Sequence, residues 1–437
     1  MLDRTTRAVV AITVIGLVLR LAWVAFAART PTGPYDPTYY LAYADRIAHG
    51  LGYTTPDGAA AAYYPVGYPA VLGAALFLGR ALPGDHQLAV AMALNVVAGT
   101  ATIPIIAAVG RRVAGPAAAV GSALVAALLP GFVLPTANVL TEVVFDLVLA
   151  LALLVACWRP WREPWSVRRL LLAGALVGVG GLIRPVALVL LPVLFLAWLM
   201  GHVGGWRAAV RRGAVISVAA LVVLAPWMAR HWSVTGRVGL AGNTGDNLCM
   251  GNNPDATGAF GVSYYCFGDV KPEIYVTATD DRDPKLAGRG LRWALDNLGA
   301  QPALVWWRTW YTFENDHEGI RAVEAYGDDP WLTARDRRIL DDLADGAYVV
   351  MLLLAAVGSV VLLRDRDVDG RAALLVAVAV GFVVVVWPFF GNVRFHDPVL
   401  LALTVPAGAA LGRAPAAVRR LRSSAAGMAA ARDLRVE

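Results

Sequence analysis

Residues 170–203 read LLLAGALVGVGGLIRPVALVLLPVLFLAWLMGHV, with Arg184 as the single charged residue. A helix rises about 1.5 Å per residue and about 20 residues span the ~30 Å hydrocarbon core of a bilayer, so this stretch is too long for one span. Arg184-Pro185 interrupts it near the middle. The stretch therefore predicts two membrane helices joined by a turn at the outer face.

The composition of the whole chain agrees with a membrane protein. Of 437 residues, 58% are hydrophobic and only 16% are charged. These values exclude disorder, a coiled coil and an ordinary soluble enzyme. The net charge is +6, but most arginines lie in short clusters between apolar runs, a pattern typical of membrane topology and not of a nucleic-acid-binding surface. Three cysteines exclude a disulfide scaffold and a cysteine-based metal cluster.

The apolar runs predict an all-α polytopic membrane protein with about 10–11 membrane helices. A shorter run, 66–82, starts with Pro65, Gly67 and Pro69, residue types that disfavour a helix. We interpret this run as an interfacial or re-entrant helix, because the arginine pairs of the later loops then lie on the cytoplasmic side. The N-terminus and C-terminus are then both cytoplasmic. We expect the first run to be a retained helix and not a cleaved signal peptide. The predicted spans are 8–28, 87–110, 116–134, 140–158, 170–184, 186–203, 212–228, 347–363, 371–388 and 397–412.

The loops divide the chain into four predicted parts. Residues 1–228 form a seven-helix membrane module with a first outer loop at 29–86. Residues 229–345, with 12 basic and 18 acidic residues, form a small external mixed domain with a helix near 284–298. Residues 346–412 form a three-helix membrane module, and residues 413–437 form a cytoplasmic tail that is either helical or disordered.

Two acidic residues stand at the predicted outer boundary. Asp36, followed by Pro37, is either the N-cap of a helix or a general base aimed into a cavity. Glu142 begins an apolar run, where an ionisable group is expensive unless it is paired or functional. It is either the partner of Arg20 or a site residue.

Three cationic or titratable residues lie on the same side. Arg184 either snorkels to the surface or binds a phosphate, for which the guanidinium fork is suited. Arg394 and His396 lie in the turn before the last span, either as ordinary loop residues or as part of a site facing Asp36. The sequence contains no HExxH, P-loop, GxSxG or CxxC motif, so soluble nucleotide chemistry has no support.

The external cysteines form the last local prediction. Cys249 and Cys266 both lie in the segment predicted to be outside, where thiols meet an oxidising environment, so we expect a disulfide between them. The alternative is two free buried thiols. Cys157 lies at the inner end of a span and is expected to stay reduced.

The outer-face residues, taken in order, resemble the GT-C superfamily of polyprenyl-phosphate-sugar glycosyltransferases, and most of all its protein O-mannosyltransferase and lipid A aminoarabinose transferase branch. The resemblance covers about residues 15–260, with a weaker similarity at 394–398. The motifs that carry it are Asp36, Ala44, Gly50-Leu51-Gly52-Tyr53, Tyr64-Pro65-Val66-Gly67-Tyr68-Pro69, Thr141-Glu142, Gly178 with Gly181-Leu182-Ile183-Arg184-Pro185, and Asn247-Leu248 with Gly251-Asn252-Asn253-Pro254.

The resemblance implies an inverting transfer from a polyprenyl-phosphate sugar donor to a hydroxyl on an envelope glycan, lipid or protein, at the outer face of the cytoplasmic membrane. Asp36 is then the base, with Glu142 beside it, and Arg184, Arg394 and His396 bind the donor phosphate. The resemblance places the substrate cavity among Tyr39, Tyr40, Tyr64, Tyr68, Arg20 and Asn252. Pro37 departs from the protein O-mannosyltransferases, which have a second acid there, and this puts a protein acceptor in doubt.

No obligatory metal is expected, because the sequence shows no dense ligand cluster, although Asp36 and Glu142 could share a divalent ion. Two other classes of function stay open. A secondary transporter has a similar size but binds its substrate near the bilayer midplane. A flippase or polymer ligase of lipid-linked sugars is the third alternative.

Overall fold

The structure of the chain is a computed structural model, and it describes residues 3–81, 83–84, 86–161, 163–200, 204–269, 281–365 and 370–413. Within these residues the regular elements are helices, and the β-type contacts are two isolated bridges, Thr54–Ala60 and Ala259–Gly391. An all-α fold is therefore confirmed. The predicted tail lies, beyond Arg413, outside the described residues.

The predicted apolar runs form helices, and further helices form in the segments that connect them. In the first half they are α1 Arg4–Ala27, α2 Asp36–Ala48, α3 Gly67–Gly79, α4 Gln87–Ala114, α5 Pro116–Leu128, α6 Pro130–Val133, α7 Glu142–Ala156, α8 Val167–Ile183, α9 Leu190–Met200 and α10 Gly205–Thr235. In the second half they are α11 Thr244–Gly251, α12 Tyr264–Phe267, α13 Arg282–Asp296, α14 Gln301–Phe313, α15 Glu318–Val323, α16 Ala334–Arg364, α17 Arg371–Val384 and α18, residues 397–413.

Among the described residues, four helices, α1, α4, α10 and α16, are long and apolar enough to cross a membrane. The pair of α5 with the short segment Pro130–Ala137 makes a fifth if it is counted as one span bent by 69°. The other predicted spans form shorter helices, such as α7 with 15 residues, which rises about 22 Å. The run predicted to be interfacial forms α3, whose 13 residues are too few to cross.

The bend after α5 explains the position of Arg20. Its Nη2 atom donates to the carbonyl oxygens of Ala126 at 2.9 Å and Phe132 at 3.0 Å, on either side of the break. A buried carbonyl without a partner costs about 1–3 kcal/mol, so the guanidinium stabilises the bent segment. Both Nη atoms of Arg20 donate to backbone carbonyls there, and among the described residues the ion pairs of Glu142 are with Arg184 and Arg394 and not with Arg20.

Glycine allows the membrane helices to approach closely, as is usual where no hydrophobic effect drives their association. Gly121 of α5 faces Gly408 of α18, and a β-carbon on Gly121 would overlap the carbonyl group of Gly408. This contact ties the end of the chain to the N-terminal half.

Residues 229–345, for which we keep the name external segment from their predicted location, are helical in their described part, where a mixed domain was predicted. The central helix of this segment is α13, close to the helix predicted at 284–298. Short glycine-rich and asparagine-rich loops connect its helices, and they form turns without pairing into strands. A disulfide joins Cys249 to Cys266, with their Cα atoms 5.9 Å apart, and Cys157 is a buried thiol that is not part of this disulfide.

A buried ion pair within this segment accepts a hydrogen bond from the first loop, residues 29–86. The Asp246 carboxylate contacts the Arg282 guanidinium and also accepts a hydrogen bond from the Tyr63 hydroxyl at 2.9 Å. Burial raises the pKa of the Asp246 carboxyl above its ordinary value, and the charge of Arg282 works in the opposite direction. The contact fixes the external helices α11 and α13 against the loop that carries Asp36.

Candidate active site

Asp36 is the first residue of α2, and its carboxylate does not cap the helix. Tyr35 occupies the N-cap position without a side-chain cap hydrogen bond, so the N-cap alternative for Asp36 is wrong. The carboxylate instead accepts a hydrogen bond from the Tyr64 hydroxyl at 2.7 Å and contacts Arg394 Nη1 at 2.8 Å. Its side chain is 32% exposed, so one face stays open to a second molecule.

Glu142 lies beside this pair and binds two arginines. Its Oε1 atom is 2.7 Å from Arg394 Nε and 3.1 Å from Arg184 Nη1. The side chain is 3% exposed, and such a buried charge is tolerated only with partners of this kind. We call Asp36, Glu142, Arg184 and Arg394 the carboxylate–arginine cluster; its two negative and two positive charges balance.

Each member of the cluster sits where a helix starts or breaks. Asp36 and Glu142 begin α2 and α7. Arg184 has an extended conformation between α8 and the short 3-10 helix Pro185–Val189, because Pro185 stops the regular helix there. Arg394 lies in the 3-10 turn Val393–Phe395, whose amide at Arg394 donates to Asn392 Oδ1 at 3.0 Å. Sequence interruptions thus position all four side chains.

Four tyrosines predicted in the cavity form one aromatic wall beside the cluster. The Tyr40 ring lies 4.8 Å from Tyr64 and 5.3 Å from Tyr68, and Tyr39 lies 6.3 Å from Tyr64, all between ring centroids. All four rings are buried. Their packing holds the Tyr64 hydroxyl against Asp36 and so fixes the direction of that carboxylate.

Two predicted site residues lie elsewhere. His396 is fully buried, and its two ring nitrogens contact the Thr312 carbonyl and Asp316, outside the carboxylate–arginine cluster. Asn252 donates to the carbonyl oxygens of Leu248 and Pro388 and accepts from Arg308 Nη2 at 3.0 Å. These bonds use its amide to attach the external loop to the turn after α17.

The structure also adds residues that the sequence prediction missed. Asp146 is buried one helical turn after Glu142, and a crevice contacts Asp146, Glu142 and Arg20 together. The i, i+4 spacing of the two acids in an apolar run was an available signal. The Tyr326 ring packs against Tyr35 in a tilted arrangement with ring centroids 5.1 Å apart. Its backbone is left-handed (φ 56°), which is unusual for a tyrosine and is not predicted by any sequence pattern.

A second narrow crevice leads from the cluster toward the external segment. It is lined by Glu142 and Arg394 from the cluster and by Asp316 and Asp397 from the neighbouring helix ends. The crevice therefore joins the cluster to Asp316 and Asp397.

The sequence of the chain matches one family model. Residues 68–229 match the family described as dolichyl-phosphate-mannose-protein mannosyltransferase. The matched part includes Glu142 and Arg184 and excludes Asp36 and Arg394. No curated protein sequence matches the chain.

Solved structures share the fold over nearly the whole chain. The archaeal oligosaccharyltransferase AglB from Archaeoglobus fulgidus, in complex with an inhibitory peptide and a dolichol-phosphate, aligns with 13% identity and a TM-score of 0.55, over 95% of this chain and 52% of that one. The oligosaccharyltransferase of the same organism in complex with Zn and sulfate aligns with 14% identity and a TM-score of 0.53, over 92% and 48%. ArnT from Cupriavidus metallidurans bound to undecaprenyl phosphate aligns with 17% identity and a TM-score of 0.42, over 94% and 78%.

The structural comparison concerns the fold of the whole chain, and the family match concerns only residues 68–229. The chain spans about half the length of the archaeal oligosaccharyltransferase, so the likeness concerns the fold of that part. The family match adds a sequence relationship over α3 to α10. The chain therefore has the GT-C fold, and its resemblance to the polyprenyl-phosphate-sugar transferases of that superfamily is confirmed.

Proposed function

We propose that the chain is a membrane glycosyltransferase that moves a sugar from a polyprenyl phosphate to a hydroxyl acceptor at the outer face of the cytoplasmic membrane. The observation that carries this proposal is the carboxylate–arginine cluster, which brings a half-open carboxylate and two guanidinium groups together at the ends of apolar helices. The family match and the fold support the same chemistry.

Asp36 has the position of the general base in this proposal. The acceptor oxygen attacks the anomeric carbon, its proton passes to the Asp36 carboxylate, and the bond from that carbon to the phosphate oxygen breaks with inversion. The electron pair leaves with the polyprenyl phosphate. A base within hydrogen-bond distance accelerates such a step by about 10²–10⁴-fold. Tyr64 and Arg394 hold the carboxylate in one orientation for this transfer.

Arg184 and Arg394 bind the phosphate of the donor in this proposal. Arg394 contacts its carboxylate partners through Nε and Nη1, and a guanidinium has five N–H donors, so donors remain for a phosphate oxygen. Preorganised cations stabilise the charge that develops on the leaving phosphate. Glu142 has a positioning role, because it holds both guanidinium groups on the same side.

Replacement of Arg184 or Arg394 by alanine should weaken binding of the donor more than binding of the acceptor. Loss of one charge-assisted hydrogen bond of about 1.5–3 kcal/mol corresponds to about a 10- to 100-fold higher Kd for polyprenyl phosphate. Arg29→Ala is the matched control, because Arg29 lies beyond α1, outside the cluster, and contacts the Trp331 ring. Unchanged affinity for the lipid phosphate in both cluster variants would exclude the assignment.

The proposal also requires the external segment and the cluster to face away from the cytoplasm. In a Cys157→Ala background, Leu298→Cys should react with an impermeant maleimide on intact cells, because Leu298 is 65% exposed in the external segment. Trp158→Cys, 52% exposed at the opposite end of α7, should react only after permeabilisation. The reverse labelling pattern would show that the external segment faces the cytoplasm and would contradict the proposed topology.

A radiolabelled sugar on polyprenyl phosphate tests the function itself. The protein in liposomes, supplied with an envelope extract as acceptor, should release unlabelled polyprenyl phosphate and pass the label to a glycan, lipid or protein product that separates from the donor on chromatography. A secondary transporter or flippase would leave the label on its lipid and change only its accessibility. That second outcome would refute the transferase proposal.

A further inference from the structure

A second polar cluster lies buried behind the turn that carries Arg394. It consists of Asp316, after the end of α14, and of His396 and Asp397 at the start of α18. His396 Nε2 is 3.1 Å from Asp316 Oδ1 and 3.8 Å from Asp397 Oδ1. The side chains are 0%, 4% and 10% exposed for His396, Asp316 and Asp397, so all three are shielded from bulk water.

The hydrogen bonds of His396 fix which ring nitrogen faces the acids. Nδ1 lies 2.7 Å from the carbonyl oxygen of Thr312, which only accepts hydrogen bonds, so Nδ1 carries a proton and donates it. In the neutral ring Nε2 is then unprotonated, and its lone pair faces two carboxylates. Stacking of the ring on Tyr348, with centroids 5.1 Å apart, prevents it from turning away. A cation must separate these three electron-rich atoms, either a proton or a metal ion.

The surroundings leave acceptor capacity for such an ion. Asp316 Oδ2 is buried and makes no hydrogen bond of acceptable geometry within the described residues. Gly131 faces this carboxylate, and a β-carbon there would collide with it. The crevice that reaches Glu142 and Arg394 is also lined by Asp316 and Asp397, which gives an ion and its water ligands a way in.

We propose that Asp316, His396 and Asp397 bind one divalent first-row metal ion, Zn²⁺ or Mn²⁺. One imidazole with two carboxylates suits these ions better than Mg²⁺ or Ca²⁺, which prefer oxygen ligands alone. Two ligands at about 2.0–2.2 Å from a tetrahedral ion lie about 3.4 Å apart, close to the 3.1 and 3.8 Å seen here. A hydrogen bond from the other ring nitrogen to a backbone carbonyl is the usual support of a histidine ligand.

The ion would act as a clamp on the site and not as part of the carboxylate–arginine cluster. It joins the end of α14 to the start of α18, and Arg394 precedes His396 by two residues. This cluster was not predicted from the sequence, because Asp316 and His396 are 80 positions apart. The alternative occupant is a proton on Nε2, which would make a plain imidazolium–carboxylate ion pair.

Metal analysis of the full-length protein separates these alternatives. After treatment with EDTA and loading with Mn²⁺, we expect one tightly held ion per chain and a ¹⁴N coupling in pulsed electron paramagnetic resonance. His396→Gln should abolish the nitrogen coupling, and Asp397→Asn should raise the Kd for Mn²⁺ at least tenfold, with the elution volume on gel filtration unchanged as the check on folding. His49→Gln is the matched control, because His49 contacts Asp45 at 3.3 Å on α2, away from the three ligands, and this variant should bind Mn²⁺ as the unmodified chain does.

Two results would overturn the proposal. The absence of any bound Mn²⁺ or Zn²⁺ in the unmodified chain would leave the cluster as an ion pair only. Retention of the metal in His396→Gln together with its loss in Asp36→Asn would place the ion between Asp36 and Glu142 instead. Neither result depends on transferase activity, so failure of this proposal and failure of the proposed function are distinguishable.

Discussion

The Asp36→Asn variant is expected to lose sugar transfer by about 10²–10⁴-fold while it still folds. Asparagine has the same shape and still accepts a hydrogen bond from Tyr64, but it does not take up the proton of the acceptor hydroxyl. The rate of label transfer from the lipid-linked donor measures the loss, and the binding of polyprenyl phosphate should change far less.

Asp45→Asn is the control for this variant. Asp45 lies on the same helix α2 and contacts His49 at 3.3 Å and Gln87, outside the carboxylate–arginine cluster. Its replacement should leave the transfer rate within a few-fold of the unmodified chain. Near-normal turnover in Asp36→Asn, or an equal loss in both variants, would mean that Asp36 is not the base.

Removal of Glu142 is expected to have the largest effect on stability. In Glu142→Ala the guanidinium groups of Arg184 and Arg394 lose their shared buried carboxylate, which leaves unpaired positive charge in an apolar site. Breaking a buried ion pair in this way costs about 3–5 kcal/mol. Unfolding in a detergent titration should report the loss as an earlier transition.

Glu163→Ala provides the comparison with a surface pair. Glu163 contacts Arg159 at 3.7 Å, and their side chains are 47% and 68% exposed. Exposed pairs of this spacing contribute about 0.3–0.5 kcal/mol, so the transition should barely move. If Glu142→Ala unfolded no more easily than Glu163→Ala, the ion pairs of the carboxylate–arginine cluster would not stabilise the fold.

The helices and the members of the cluster were predictable because each depends on a local break in an apolar run. Arg184-Pro185 divides one long run, and the structure ends α8 at Ile183. Asp36 and Glu142 each stand at the start of a helix, as their position at a boundary indicated. These features need only the length and polarity of a segment, which the sequence carries directly.

The partners of these residues were not predictable, because pairing depends on contacts between distant segments. A pair between Arg20 and Glu142 was one of the two alternatives for Glu142. The structure instead has Arg20 bound to backbone carbonyl groups at the bend near Leu129. Arg394 reaches Asp36 across 358 positions of sequence. His396 was expected at the phosphate site because it lies near Arg394 in sequence. The tight turn between the two residues instead directs the His396 side chain toward the Thr312 carbonyl at the end of α14.

Mass spectrometry of the cell envelope tests the central claim most directly. A strain without this chain should lack one modification whose mass equals a sugar residue, on an envelope glycan, lipid or protein, and should accumulate its lipid-linked donor. The unmodified gene should restore that mass, and the Asp36→Asn gene should not. An envelope identical in all three strains, or full restoration by Asp36→Asn, would contradict the account.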